Sequence, residues 1–247
     1  MAVVDNAELK KIVLDRYKAA KNSITIIKES IDIAQNISNN IPGYDIENLN
    51  FGAYKKDNFV TFFADMRGST KRAERLGAEK TFLTIHAVMP AMIYVVQAYG
   101  GRIVDLPGDG VMALFKGNPK GIHWTNTGEY FNEETLAVEA GKDLLKAFEE
   151  VVNPILANDQ IEPVVFGVGV DTGDIIVTKV GTDDIRDIKA IGTSINGASK
   201  NCFGKNQIFI SPNTYEKIHS KSRSGFTKAR RPKDIDKDEA EGYLKNI

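Results

Sequence analysis

The chain has 247 residues, 42% hydrophobic and 26% charged, enough to bury a full core in one domain with an extension. Thirty-two basic against 33 acidic residues leave a formal net charge of −1, so global charge favours neither nucleic acid nor a membrane surface. A single cysteine, Cys202, excludes an internal disulfide and a cysteine-based zinc site; with no apolar leader and no unbroken apolar run near the ~18 residues of a spanning helix, a cytoplasmic protein is expected.

Residues 7–38 set Leu9, Ile12, Val13, Tyr17, Ala20, Ile24, Ile27, Ile31 and Ala34 at spacings of three and four, a helical stripe expected to pack on the protein's own core. Residues 38–57, with N-N-I-P-G-Y and N-L-N-F-G, lack a period and read as a connector. The expected division is an N-terminal helix and connector, 1–55, and a main domain, 56–247.

From Val60 the chain reads V-T-F-F-A-D-M-R-G-S-T: an apolar run ending in Asp65, then a Ser69/Thr70 pair able to cap a helix. A strand should therefore deliver one carboxylate beside a helix N-terminus. Helix is expected over Thr70–Leu76 and Ala78–Tyr99, kinked at Pro90 and ended by Gly100-Gly101. G-G-R-I-V-D-L-P-G-D-G-V-M-A-L-F then reads as a hairpin turning on Gly108-Asp109-Gly110. If the two strands are neighbours, Asp65 and Asp109 converge at one sheet edge, where hard oxygen ligands and a helix N-terminus suit divalent metal and polyphosphate. Ordinary turn aspartates are the alternative.

Residues 117–132, with Trp124 and Tyr130, read as a loop without assigned chemistry, and Glu133–Leu156 as a second amphipathic helix. Val164–Val170 is a strand, Asp171-Thr172-Gly173-Asp174 a hairpin turn and Ile175–Val180 the returning strand. A short strand through Ile188 and Ala190 ends at Gly192, and the helix from Thr193 puts Asn196 and Lys200 on one face. Gln207–Ile210 is a strand, Ser211-Pro212 opens a helix, and a last strand lies near Gly242-Tyr243-Leu244. This order predicts an α+β fold with helices on one face of the sheet.

From about Phe59 to Tyr243 the chain resembles a class III nucleotidyl cyclase homology domain, through F-A-D-M-R-G-S-T, the Asp109 hairpin, G-V-G-V-D-T-G-D-I-I-V and I-G-T-S-I-N-G-A-S-K in register. The resemblance implies a ferredoxin-like antiparallel sheet core carrying the N-terminal helical extension. It also implies that the 3′-hydroxyl of a nucleoside triphosphate attacks its own α-phosphate and expels pyrophosphate, with two divalent ions, Mn²⁺ or Mg²⁺. Asp65 and Asp109 match the metal carboxylates, with the Met66 carbonyl a further ligand; Gly68, Ser69 and Thr70 would offer backbone N–H groups to phosphate. Asn196 matches the ribose-orienting asparagine. Lys200 departs from the family's arginine on the α-phosphate, with Arg186 or Lys205 as possible substitutes, and Lys237 matches a tail lysine on the terminal phosphates. A head-to-tail homodimer with composite sites is implied, Asp65 and Asp109 of one protomer facing Asn196 and Lys200 of the other.

The positions that read adenine in the family hold Asp105 and Lys189, with charges exchanged. An acceptor plus a donor suits uracil, cytosine or adenine, or the two side chains pair with each other. Altered base readers on a lone cyclase domain resemble the bacterial pyrimidine cyclases of Pycsar antiphage systems, whose cyclic product is bound by a separately encoded effector. Uridine is favoured and cytidine next, with Arg67 and Tyr54 as extra base or phosphate contacts. A divergent adenylate cyclase and a catalytically silent regulatory module are the alternatives.

Overall fold

The computed structural model describes residues 3–25, 50–116, 131–182 and 186–247. The predicted helix beyond residue 25 and the loop with Trp124 and Tyr130 lie outside them.

Two long strands form the spine. β1 (Tyr54–Met66) pairs antiparallel along all 13 of its residues with β4 (Phe166–Gly181), from Tyr54 opposite Thr178 to Met66 opposite Phe166. Around them lie β2 (Arg102–Asp105), β3 (Val111–Phe115), β6 (Gln207–Ile210), β7 (Thr227–Arg230) and β8 (Glu241–Asn246), in the order β2-β3-β1-β4-β6-β8-β7. β5 (Arg186–Ile191) pairs with the distal half of β4, and the β4–β6 pair is parallel.

The ladder overrides two local signals. Asp171-Thr172-Gly173-Asp174, predicted as a turn, lies inside β4, because Thr61, Val60, Phe59 and Asn58 of β1 stand opposite all four. Continuous cross-strand pairing outweighs turn propensity where a partner strand runs on both sides. β1 likewise begins at Tyr54, so the end of the expected connector is strand.

Side-chain alternation then sorts the two faces. Phe166, Val168 and Val170 of β4, with Phe62 and Ala64 of β1, enter the main core. That face is covered by α1 (Asn6–Thr25), α2 (Ser69–Ala98) and α3 (Glu133–Ala147), which runs through a π-helical turn (Phe148–Val152) into α4 (Asn153–Ala157). The first half of the predicted stripe packs within the protomer: Leu9, Val13, Tyr17 and Ala20 are buried and the Tyr17 hydroxyl donates to Asp159 over 2.8 Å, while Ile24 is exposed. In α2 the non-helical residue is Gly77, at φ 77° and ψ 175°, while the chain remains helical through Pro90. By length and composition α2 could cross a membrane, yet Leu83, Ala87, Val88, Ala91, Met92, Val95 and Val96 are buried in this core.

The other face of β4 presents Gly167, Gly169, Asp171 and Gly173, and α5 (Thr193–Asn201) lies on it. A Cβ on Gly169 would stand 2.0 Å from the Ala198 carbonyl, and one on Gly167 2.1 Å from the Cys202 carbonyl. Glycine is needed here for close backbone approach. The helices thus do not all share one face: α1–α3 take the expected side and α5 the opposite one. Beside α5 the curled sheet closes a smaller core of Phe59, Val104, Leu114, Ile175, Val177 and Ile188.

Candidate active site

Asp65 is the penultimate residue of β1, opposite Gly167 of β4, and its carboxylate is ion-paired with Arg67. The backbone turns there because the Arg67 N–H donates to the Val165 carbonyl over 2.7 Å and Gly68 adopts a left-handed conformation, φ 70°. Gly68 is the N-cap of α2, and neither Ser69 nor Thr70 caps it as expected; no side chain closes this end. The first N–H groups of α2 thus lack a side-chain cap at the positive end of the helix dipole.

β3 pairs with β1 through Ala64 opposite Val111, which brings the Asp109 turn against Asp65. A Cβ on Gly110 would lie 2.7 Å from the Ala64 carbonyl and 3.1 Å from Asp65 Oδ1. The two acidic turns therefore touch, as the hairpin reading required. Asp109 Oδ2 is buried and has no hydrogen-bond partner among the described residues, an expensive state for a carboxylate oxygen. Among the described residues no three His, Cys, Asp or Glu side chains converge. Burial pushes the Cys202 thiol up to about 12, which leaves it inert.

Asn196 and Lys200 are exposed on α5, and among the described residues neither bonds to Asp65 or Asp109. Lys200 Nζ donates instead to Asp236 Oδ1 over 3.2 Å. Asp236, nearly buried, also accepts from Arg231 Nη1 over 2.8 Å, and these cations, Arg231 first, hold its carboxyl below the ordinary aspartate range. Lys205 is exposed beyond α5, and the Arg186 side chain lies outside the described residues. Lys237, next to Asp236, is exposed.

The two base-reading candidates come together without forming the ion pair considered for them. Lys189 is paired with Asp187 at 2.6 Å, which raises its pKa, with a smaller contribution from Asp105. Asp105 accepts from the Leu106 N–H over 2.8 Å. The same curl that packs Val104 of β2 with Ile188 of β5 brings these strand ends close. Tyr54, 65% exposed, shares a cross-strand row with Thr178 and Lys189. From Asp65 it is eleven residues along the strand, roughly 36 Å at about 3.3 Å per residue. Within one protomer Tyr54 belongs with the base-reading pair and not with the acidic turns.

No family model matches the chain. It is 28% identical over 212 residues to a cytidylate cyclase of Staphylococcus aureus, covering 80% of this chain and 45% of the relative. It is 24% identical over 164 residues to a cytidylate cyclase of Escherichia coli, covering 64% and 35%. Its fold matches the crystal structure of the guanylyl cyclase Cya2 with a TM-score of 0.61 at 23% identity, over 77% of this chain and 91% of that one. The chain has the class III nucleotidyl cyclase fold. It spans less than half the length of the two curated relatives.

Against the class III pattern, sequence reasoning located both acidic turns and missed Arg231, Asp236 and Asp171. Arg231 and Asp236 stand in K-A-R-R-P-K-D-I-D-K-D, which reads as a solvated charge run, and only the fold buries them against α5. Asp171, hidden in the supposed turn, lies under Gly197 of α5, and burial raises its carboxyl.

Proposed function

We propose that the chain is the catalytic part of a metal-dependent nucleotide cyclase that converts a pyrimidine nucleoside triphosphate, CTP first and UTP second, to its 3′,5′-cyclic monophosphate and pyrophosphate. The observation that carries this reading is the contact between the two acidic turns, with a buried, unpartnered carboxylate oxygen on Asp109 beside the uncapped start of α2. Hard oxygen donors suit Mg²⁺ or Mn²⁺, and a cation would satisfy the orphaned oxygen. Asp65, Asp109 and the Met66 carbonyl would hold two ions, which when bound supply charge neutralisation and a lowered 3′-hydroxyl pKa.

The chain's own groups do the remaining work. The N–H groups at Gly68, Ser69 and Thr70 bind phosphate oxygens, and Arg67, held on Asp65, adds a cation at the same end. Asn196 orients the ribose, Lys200 compensates charge on the α-phosphate and Lys237 binds the terminal phosphates. Asn196 and Lys200 reach the acidic turns of a partner protomer in a head-to-tail homodimer, which gives two composite sites.

Asp105 accepts from the base and Lys189 donates to it, with Tyr54 on the same row. For cytosine the 4-amino group donates to Asp105 and N3 or O2 accepts from Lys189; for uracil N3–H donates and a carbonyl accepts. The names of two similar proteins, both cytidylate cyclases, support placing CTP ahead of UTP. A second messenger read by a separately encoded effector in phage defence is the cellular role we propose, in the cytoplasm.

Incubation with Mn²⁺ and each of ATP, GTP, CTP and UTP, with products identified by mass spectrometry, tests the reading. Cyclic CMP or cyclic UMP, lost in Asp109→Ala, is expected. Cyclic AMP alone would refute the base assignment, and no product from any nucleotide would favour a silent regulatory module. Mixing Asp65→Ala with Asn196→Ala protein should restore activity, since exchanged dimers contain one intact composite site.

A further inference from the structure

We propose that Arg231, acting through Asp236, is a positioning residue that presents Lys200 and Lys237 as one phosphate-binding edge. This deepens the proposed polyphosphate site and rests on it.

The guanidinium has three partners. Nε donates to Asn201 Oδ1 over 2.8 Å, Nη1 to Asp236 Oδ2 over 2.8 Å and Nη2 to the Gly197 carbonyl over 3.3 Å. Asn201, fully buried, donates in turn to the Val170 carbonyl of β4 over 3.0 Å. A continuous chain of hydrogen bonds thus ties the central strand, the end of α5 and the loop between β7 and β8. That loop is closed by backbone bonds from Arg231 to Ala240 and from Asp236 to Pro232, of 3.1 and 2.9 Å, so Asp236 is fixed at both main chain and side chain.

Arg231 does not substitute for the family's missing arginine. Its side chain is 11% exposed and all three of its nitrogens are engaged, whereas Lys200, held by Asp236, is 48% exposed and can meet a ligand. What Arg231 does is orient one carboxylate, and that carboxylate shares its second oxygen with the Lys200 ammonium. A lysine has a flexible stem and lacks the preorganised planar fork of arginine, so a lysine at this position needs an external anchor to hold its charge in one place. Asp236 is that anchor, and Lys237 is carried on the same rigid loop.

Asp236 also places a negative charge beside bound phosphate. Neutralising it should therefore loosen Lys200 and lower turnover while leaving phosphate affinity equal or higher. A merely structural role would not split the two. Purified full-length Asp236→Asn, which preserves shape, is compared with wild type for kcat and KM with Mn²⁺ and the preferred nucleotide, and for binding of inorganic pyrophosphate with Mn²⁺ by calorimetry. Expected is a fall in kcat of roughly tenfold or more, from misplacement of one charged group, with KM and the pyrophosphate Kd unchanged or lower. In a Lys200→Ala background the same substitution should change kcat by less than about twofold, since coupled residues are non-additive.

An unchanged kcat in Asp236→Asn, a raised KM, or equal losses with and without Lys200 would overturn the proposal. If wild type turns over none of the four nucleotides, the cyclase reading fails separately and the pyrophosphate measurement decides. Binding that is unchanged or tighter in Asp236→Asn, and weakened less by Lys200→Ala in that background than in wild type, then sustains the positioning role; weaker binding, or equal weakening by Lys200→Ala in both backgrounds, overturns it. Arg231→Lys, which keeps the charge but not the fork, should reproduce the kcat loss if it folds; Asp236→Asn carries the test if it does not.

Discussion

Gly169→Ala would perturb the site from beneath. The new methyl carbon would lie 2.0 Å from the Ala198 carbonyl oxygen and 2.7 Å from Asn201 Cβ. An ordinary carbon–oxygen contact is about 3.3 Å, so α5 would have to retreat by roughly 1.3 Å. Neither neighbour is the far end of a flexible side chain, and overpacking of this kind costs on the order of 1–3 kcal/mol. For a chain of this size each kcal/mol lowers Tm by about 2–4 °C. Because α5 carries Asn196 and Lys200, a displacement of about 1 Å should also reduce kcat by ~10²-fold. Gly173→Ala is the control: its methyl would meet Ser194 Cβ at 3.2 Å, a gap that a few tenths of an ångström relieves. Thermal melts followed by circular dichroism, with product formation at a temperature where both variants are folded, give the comparison. Equal effects of the two substitutions, or a neutral Gly169→Ala, would refute the docking of α5 on the glycine stripe.

Three further outcomes are expected. Leu9→Ala should cost about 2–5 kcal/mol in urea unfolding, since Leu9 is fully buried in the main core; a loss below about 1 kcal/mol would show that α1 is peripheral. Asp109→Asn should leave the melting temperature without metal within a few degrees of wild type, because Oδ2 has no partner to lose, and should abolish the Mn²⁺-induced rise in Tm; a persisting rise would place the metal elsewhere. Asp171 is raised above its unfolded value by burial, offset by Ser211, the Thr172 N–H and Arg231, so its ionisation works against the fold. Its contribution is present below a pH of about 3.9 and lost as pH rises through the folded value, so Asp171→Asn should gain stability over wild type between about pH 4 and neutrality; a constant gap in urea unfolding would contradict this.

Much of the site was legible because it depends on short range. Asp65 and Asp109 each follow from a strand end beside a turn, and the apolar run from Val60 to Ala64 made the end of β1 readable. The helix cap was misassigned to Ser69 and Thr70 because side-chain propensity is indifferent to the left-handed conformation that Gly68 supplies. The D-T-G-D segment failed as a turn because its partner lies about 110 residues earlier in the chain, beyond any local window. The charged tail hid Arg231 and Asp236, since a sequence carries no signal that separates a buried ion pair from a solvated one when the burying helix is distant.

The sequence by itself determined most of the helices and strands, the two acidic turns and the spacing of Asn196 and Lys200 on one helix, which are set by local periodicity and turn chemistry, and its motifs carried the resemblance to class III cyclases. Only the tertiary structure decided that α5 rests on glycines of β4, that the curl of the sheet brings Asp105 near Lys189, and that Asp236 holds Lys200. Those relations join residues far apart in the chain, and burial and Coulombic distance exist only once the strands have paired.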